Sequence, residues 1–177
     1  MTTNPALHGA FTLTRDLSAP PAAVYAAFAE PALRARWFRL PGPSAAQRYE
    51  LDFREGGGEV ASNSFPIGDR VEELEYRSRF FDLVPGARIV YGHEAVVDGL
   101  RRWVSLTTVE LAPTGDGTRL SWTEQYTFLM LTEADDDDPG EGEGSVDVAH
   151  LRGGTGLRIN GLASLLDALA AEATVGR

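Results

Sequence analysis

From Ala46 to Phe128 apolar and polar side chains alternate along the chain, and after a break the pattern lengthens to a helical rhythm. Tyr49, Leu51 and Phe53 take every second position against Glu50, Asp52 and Arg54, as in a half-buried strand. Similar runs cover Glu59–Phe65, Val71–Leu83, Arg88–Val97, Arg101–Leu111 and Thr118–Phe128. Gly56-Gly57-Gly58, Pro85-Gly86, Asp98-Gly99 and Gly115-Asp116-Gly117 punctuate them. Asp98-Gly99 is the sharpest hairpin signal, because both residues tolerate positive φ. From Thr155 to Ala173, Ile159, Leu162, Leu166 and Leu169 recur at helical spacing, with Ala163, Leu165 and Ala170 widening the stripe. About 19 residues rising ~1.5 Å each make a rod of ~28 Å, long enough to cross a small domain.

Upstream, Phe11 and Leu13 in Ala10–Leu17 predict a first strand. Ser18 is a candidate N-cap, and Pro20 and Pro21 suit the opening of a helix over Ala22–Ala29, where missing amide hydrogens cost nothing. Pro31 starts a second short helix carrying Leu33, Trp37 and Phe38, ended by Pro41-Gly42-Pro43. Phe80 and Phe81 cannot both point inward without a bulge. Taken together, the pattern is α+β: a curved antiparallel sheet wrapping one long amphipathic helix, with two short helices after the first strand. Residues 1–177 are expected to form one domain. Residues 133–154, with Asp135 to Asp138 and an alternating Gly-Glu run, read as an acidic, glycine-rich flexible loop before the final helix.

Composition narrows the function. Lys plus Arg number 16 against 26 Asp plus Glu, a net charge of −10, so nucleic acid and anionic membrane are disfavoured partners. With no cysteine there is no disulfide, thiolate metal site or Cys nucleophile. The first residues lack the basic start and apolar run of a signal peptide, and no stretch reaches the ~18 apolar residues of a membrane span. A cytoplasmic protein is therefore expected. An EF-hand register on Asp135 fails, since Pro139 and Val146 fall where oxygen ligands are needed. His8, His93 and His150 have no metal-ligand spacing, so no metal and no cofactor are expected.

Candidate chemistry comes from facing. Leu120, Trp122, Glu124, Tyr126 and Phe128 share one side of the last strand, and the apolar members must carry Glu124 inward. Such a carboxylate needs a partner or a raised pKa. Neighbouring strands offer Tyr76, Ser78 and Phe80, then Tyr91 and His93, then Trp103, Ser105 and Thr107. An aromatic space with a few polar groups is the usual composition of a small-molecule site. The plainer readings make Glu124 half of an ion pair, His93 a satisfied core histidine, and the tryptophans core.

Several strings resemble the START-like, or SRPBCC, superfamily in its branch of activator of heat-shock-protein ATPase homologues. They are PPAAVYAAFAEPALRARWF at Pro20–Phe38, DFREGGGE at Asp52–Glu59 and DLVPGARIVYGHE at Asp82–Glu94. VSLTTVEL at Val104–Leu111, GTRLSWTEQYTF at Gly117–Phe128 and the closing GGTGLRINGLASLLDAL complete the set. The resemblance implies a helix-grip fold of six to seven strands around the C-terminal helix and a deep apolar cavity. It carries over no catalytic residue. The leading expectation is non-enzymatic binding of a small hydrophobic or aromatic molecule between sheet and helix. Its expected site is Trp37, Tyr76, Phe80, Tyr91, His93, Trp103, Trp122, Glu124, Tyr126, Leu162 and Leu166, with Leu157 also flooring the space. The alternatives are a polyketide cyclase or dehydratase-like enzyme using His93 or Glu124, and a co-chaperone-like interaction module. Val104 and Leu106 point outward and suggest a homodimer.

Overall fold

A computed structural model of the chain describes residues 6–43, 47–131 and 145–175. Its order is β1 (Leu7–Leu17), α1 (Pro21–Ala29), α2 (Pro31–Trp37), β2 (Arg48–Leu51), β3 (Gly58–Ile67) and β4 (Arg70–Val84). Then follow β5 (Arg88–Val97), β6 (Leu100–Thr114), β7 (Gly117–Phe128) and α3 (Val146–Val175). The strands form one seven-stranded antiparallel sheet in the order β1-β7-β6-β5-β4-β3-β2. β2 to β7 are a simple meander, and β1 joins the free edge of β7 in a register that runs from Leu7 opposite Phe128 to Leu17 opposite Thr118. The expected α+β architecture, with two short helices after the first strand and a long C-terminal helix, is the observed one.

Local chemistry accounts for the corners. Asp98 and Gly99 both adopt positive φ, at 50° and 77°, and turn β5 into β6. The two phenylalanines of β4 part by ordinary alternation, Phe80 in the core and Phe81 53 % exposed, and the register with β5 shifts between Phe80 and Asp82. Gly58 sits where a Cβ would lie 2.1 Å from the Ser78 carbonyl oxygen, so only glycine lets β3 come this close to β4. Pro21 and Pro31 occupy the first turns of α1 and α2.

Two expectations change. Ser18 does not cap α1, whose N-cap is Pro20; the Ser18 hydroxyl donates instead to Asp167 on α3 at 2.6 Å. The final helix starts at Val146 rather than Thr155, so residues 146–154, read from sequence as loop, are helical. Ser145 makes this possible, because its Oγ accepts from the amides of Asp147 and Val148 and so caps the helix. Burial of Val148 and Leu151 then holds a turn that Gly153, Gly154 and Gly156 would otherwise weaken. Most of the acidic stretch (residues 132–144, including Asp135 to Asp138) lies outside the described residues.

The main core lies between the concave sheet face and the helices, with Phe28, Trp37, Tyr76, Phe80, Tyr91, Trp122, Leu162 and Leu166 among its members. A smaller cluster of Phe11, Tyr126, Phe128, Val148 and Leu151 fills the end where α3 begins.

Candidate functional site: a cavity between the sheet and the final helix

β7 faces as its alternation predicts: Leu120, Trp122, Glu124, Tyr126 and Phe128 are all buried. Glu124 has no exposure and receives bonds from three directions. His93 Nε2 on β5 lies 3.1 Å from its Oε1, Thr155 Oγ1 on α3 donates to Oε2 at 3.1 Å, and Trp122 Nε1 donates weakly to Oε2 at 3.4 Å. Burial alone would raise the carboxyl pKa. The hydrogen bond and charge of His93, helped by Arg158, outweigh burial and hold it below the ordinary value. The His93 ring is also packed at 5.0 Å from the Tyr76 ring and 5.8 Å from the Tyr91 ring. This cluster ties two strands to the helix.

Beside it lies a cavity of ≈ 680 Å³, bounded by α2 and the residues after it, β4 to β7, and the first half of α3. Trp37, Leu40, Leu74, Tyr76 and Ala95 supply one side; Trp103, Phe128, Leu151 and Gly161 supply more of the wall. Leu157, 74 % exposed, stands at the rim. Thr155 is the point where the cavity wall meets the Glu124 cluster.

The eleven expected site residues divide by depth. Trp37, Tyr76 and Trp103 line the cavity. Phe80, Tyr91, Trp122, Leu162 and Leu166 belong to the packed core and do not reach it, while Tyr126 sits in the smaller cluster. His93 and Glu124 are buried behind Thr155 rather than in the wall. The reason is α1. Phe28 packs at 6.1 Å from Trp122 and 4.8 Å from Trp37, filling the space over the middle of β7 and leaving the opening toward the start of α3.

The polar part of the wall was not foreseen from the sequence. Arg36, Arg39, Asp147, His150 and Arg158 all line the cavity. The Arg158 guanidinium stacks 5.1 Å from the Phe38 ring and 5.5 Å from the Tyr76 ring. Tyr76 Oη and Trp103 Nε1 are buried and have no hydrogen-bond partner among the described residues. Burial, reinforced by Tyr91 and Glu59 and opposed by Arg158 and Arg34, raises the Tyr76 pKa well above the ordinary value, so the phenol stays a neutral donor. A signal for Arg158 existed: Leu151, Thr155, Arg158 and Leu162 repeat at helical spacing and put a cation on the inward stripe.

A buried ion pair fixes α2 as a cavity wall. Arg34 Nε and Nη2 each donate to a different Glu59 oxygen at 2.7 Å, and Tyr49 Oη donates to the same carboxylate at 2.6 Å. The guanidinium lies over Trp37 at 4.2 Å and Phe38 at 4.4 Å. Trp37 Nε1 donates to the Ala27 carbonyl at 2.8 Å, which locks the indole in its wall position.

The sequence profile described as Activator of Hsp90 ATPase homolog 1-like protein matches residues 18–171. The chain belongs to this family. Among solved structures it is similar to an uncharacterised protein from Rhizobium leguminosarum, at 32 % identity and TM-score 0.75, covering 93 % of this chain and 97 % of that one. It is likewise similar to the Mll3558 protein from Rhizobium loti, at 34 % identity and TM-score 0.71, covering 92 % and 99 %. Protein CV1439 from Chromobacterium violaceum follows at 26 % identity and TM-score 0.61, covering 89 % and 96 %. No curated protein matches the chain. Among the described residues of this family member, no three His, Asp or Glu side chains group as a metal site, and no helix is long and apolar enough to cross a membrane.

Proposed function

We propose that the protein binds a small, largely apolar or aromatic molecule in the cavity between the sheet and α3, without transforming it. The observation that carries this reading is the ≈ 680 Å³ space walled by Trp37, Tyr76, Trp103, Phe128 and Leu151. That volume falls within the range of small-molecule sites, roughly 300–1,000 Å³, and a mostly apolar wall with a few polar groups is their usual make-up. Membership of a ligand-binding superfamily supports the same reading. The enzymatic alternative gains nothing from the geometry, because the two groups suited to proton transfer, His93 and Glu124, are bonded to each other behind the wall.

Native mass spectrometry, set against the denatured mass, tests the proposal directly: mass lost on denaturation is the expected result and measures the occupant. Titration with the neutral fluorophore N-phenylnaphthylamine supplies the second arm. Ala95, 1 % exposed and in the wall, is the position to fill. Ala95→Phe should abolish uptake while the protein still unfolds cooperatively. Undiminished uptake by that variant would place binding elsewhere and sink the proposal.

The outer face of the sheet supports a second reading, a homodimer. Phe81, Val104 and Leu106 form an apolar strip around Gly92 on that face, with Leu106 38 % exposed. Sedimentation velocity should give twice the chain mass, and Leu106→Glu should return it to one; a wild-type monomer rules this reading out.

A further inference from the structure

We infer that the occupant is an amphipathic anion, an aromatic or alicyclic body bearing one acidic group, and that Arg158 holds that group. The inference rests on the binding role proposed for the cavity and adds the charge of what enters it. Three observations meet here. The wall contains three arginines, Arg36, Arg39 and Arg158, against one acid, Asp147, in a chain whose net charge is −10. Arg36 spends part of its charge on an ion pair with Glu172 at 3.9 Å, which leaves Arg158 as the cation to consider.

Arg158 itself is held by stacking alone. Its guanidinium rests on the faces of Phe38 and Tyr76, and it makes no hydrogen bond or ion pair with any described residue. Glu124 attracts it electrostatically, yet the Glu124 oxygens are already taken by His93, Thr155 and Trp122. A planar fork with all its N–H groups unspent, steadied between two rings, is preorganised for a carboxylate or sulfonate.

The neighbouring polar groups agree in sign. Trp103 Nε1 can only donate, Tyr76 Oη is a neutral phenol, and both are buried, without partners among the described residues, on side chains that line the cavity. Tyr76 carries one of the rings on which Arg158 rests, and both donors become available to an acceptor where an occupant displaces the packing around them. A neutral hydrocarbon would leave the Arg158 guanidinium unbonded, and a cation would be repelled by it.

Two fluorophores that share one ring skeleton separate the charge from the cavity: anilinonaphthalene sulfonate and neutral N-phenylnaphthylamine. Arg158→Gln should weaken the sulfonate about tenfold, the worth of one charge-assisted hydrogen bond, and change the neutral probe less than about twofold. Arg158→Lys should recover part of the loss. In the wild type, raising salt from about 0.1 M to about 1 M should weaken the sulfonate alone. Retained binding of the neutral probe shows that the variant is folded, and the salt series needs no variant. Equal weakening of both probes by Arg158→Gln, or salt-independent sulfonate binding, would overturn the inference and leave the binding role standing. A wild type that takes the neutral probe and refuses the sulfonate has the same meaning. Binding of neither probe would remove the binding role and this inference with it.

Discussion

Removing the Arg34 guanidinium tests how the cavity wall is held. Arg34 is 2 % exposed and Glu59 1 %, so water cannot replace a lost partner. Burial alone would drive the guanidinium toward neutrality; the Glu59 charge and hydrogen bonds more than reverse that and raise the Arg34 pKa. In Arg34→Met, methionine fills much of the stem volume between Trp37 and Phe38, but Glu59 keeps only the Tyr49 hydroxyl as a side-chain donor. Breaking a buried pair from one side costs about 3–5 kcal/mol. Replacing both members by apolar side chains removes the stranded charge, so Arg34→Met combined with Glu59→Leu should lie within about 1–2 kcal/mol of wild type. Urea unfolding followed by circular dichroism gives each free energy by linear extrapolation. The double-mutant cycle should then show a coupling of at least about 2 kcal/mol. A single-variant loss under about 1 kcal/mol, or a double variant that loses the sum of the singles, would refute the view that desolvated charge dominates here.

Other expected outcomes follow from the same geometry. Glu124 has a folded pKa below its ordinary value of 4.5, so the stability it contributes is present above that pH and is lost as pH falls through the lower folded value. Glu124→Gln should therefore lie furthest below wild type at neutral pH and converge on it in acid; parallel stability curves would contradict this. Gly153 is exposed in α3, and a Cβ added there would meet nothing within 4 Å, so Gly153→Ala should raise stability by about 0.5–1 kcal/mol, read as a shift in urea midpoint. Gly58→Ala should do the opposite, losing about 2 kcal/mol or more, because its Cβ meets Ser78 backbone rather than a yielding side chain; an unchanged thermal midpoint would show that β3 can move aside.

Much of the fold was legible because it depends on local rules. Alternation placed Glu124 inward and Asp98-Gly99 marked its hairpin, whereas the facing of Phe80 and Phe81 was open, since both could point inward only with a bulge. The first turns of α3 were not legible, since Gly153, Gly154 and Gly156 carry poor helix propensity and the burial of Val148 and Leu151 that overrides it is tertiary. The site was legible only in part. Alternation states that Tyr91, Trp122 and Trp103 point inward; it does not state what lies opposite. Phe28 closes the space above Trp122, and Trp103 faces an opening, for reasons set by α1 and not by either strand. Arg34 and Glu59 are 25 residues apart, and no short-range pattern links them.

The pairing of β1 with β7 has a consequence for how the chain is made. The contact from Thr12 to Thr123 spans 111 residues, so β1 is without its hydrogen-bonding neighbour until almost the whole sheet has been synthesised. Closing so long a loop is entropically expensive, and topologies rich in such contacts fold slowly. β3 to β6 can pair hairpin by hairpin as they emerge. Nascent β1, in contrast, carries an unpaired edge with Phe11 and Leu13 exposed, and this is the stage at which a holdase chaperone or a stray strand from another chain would find it.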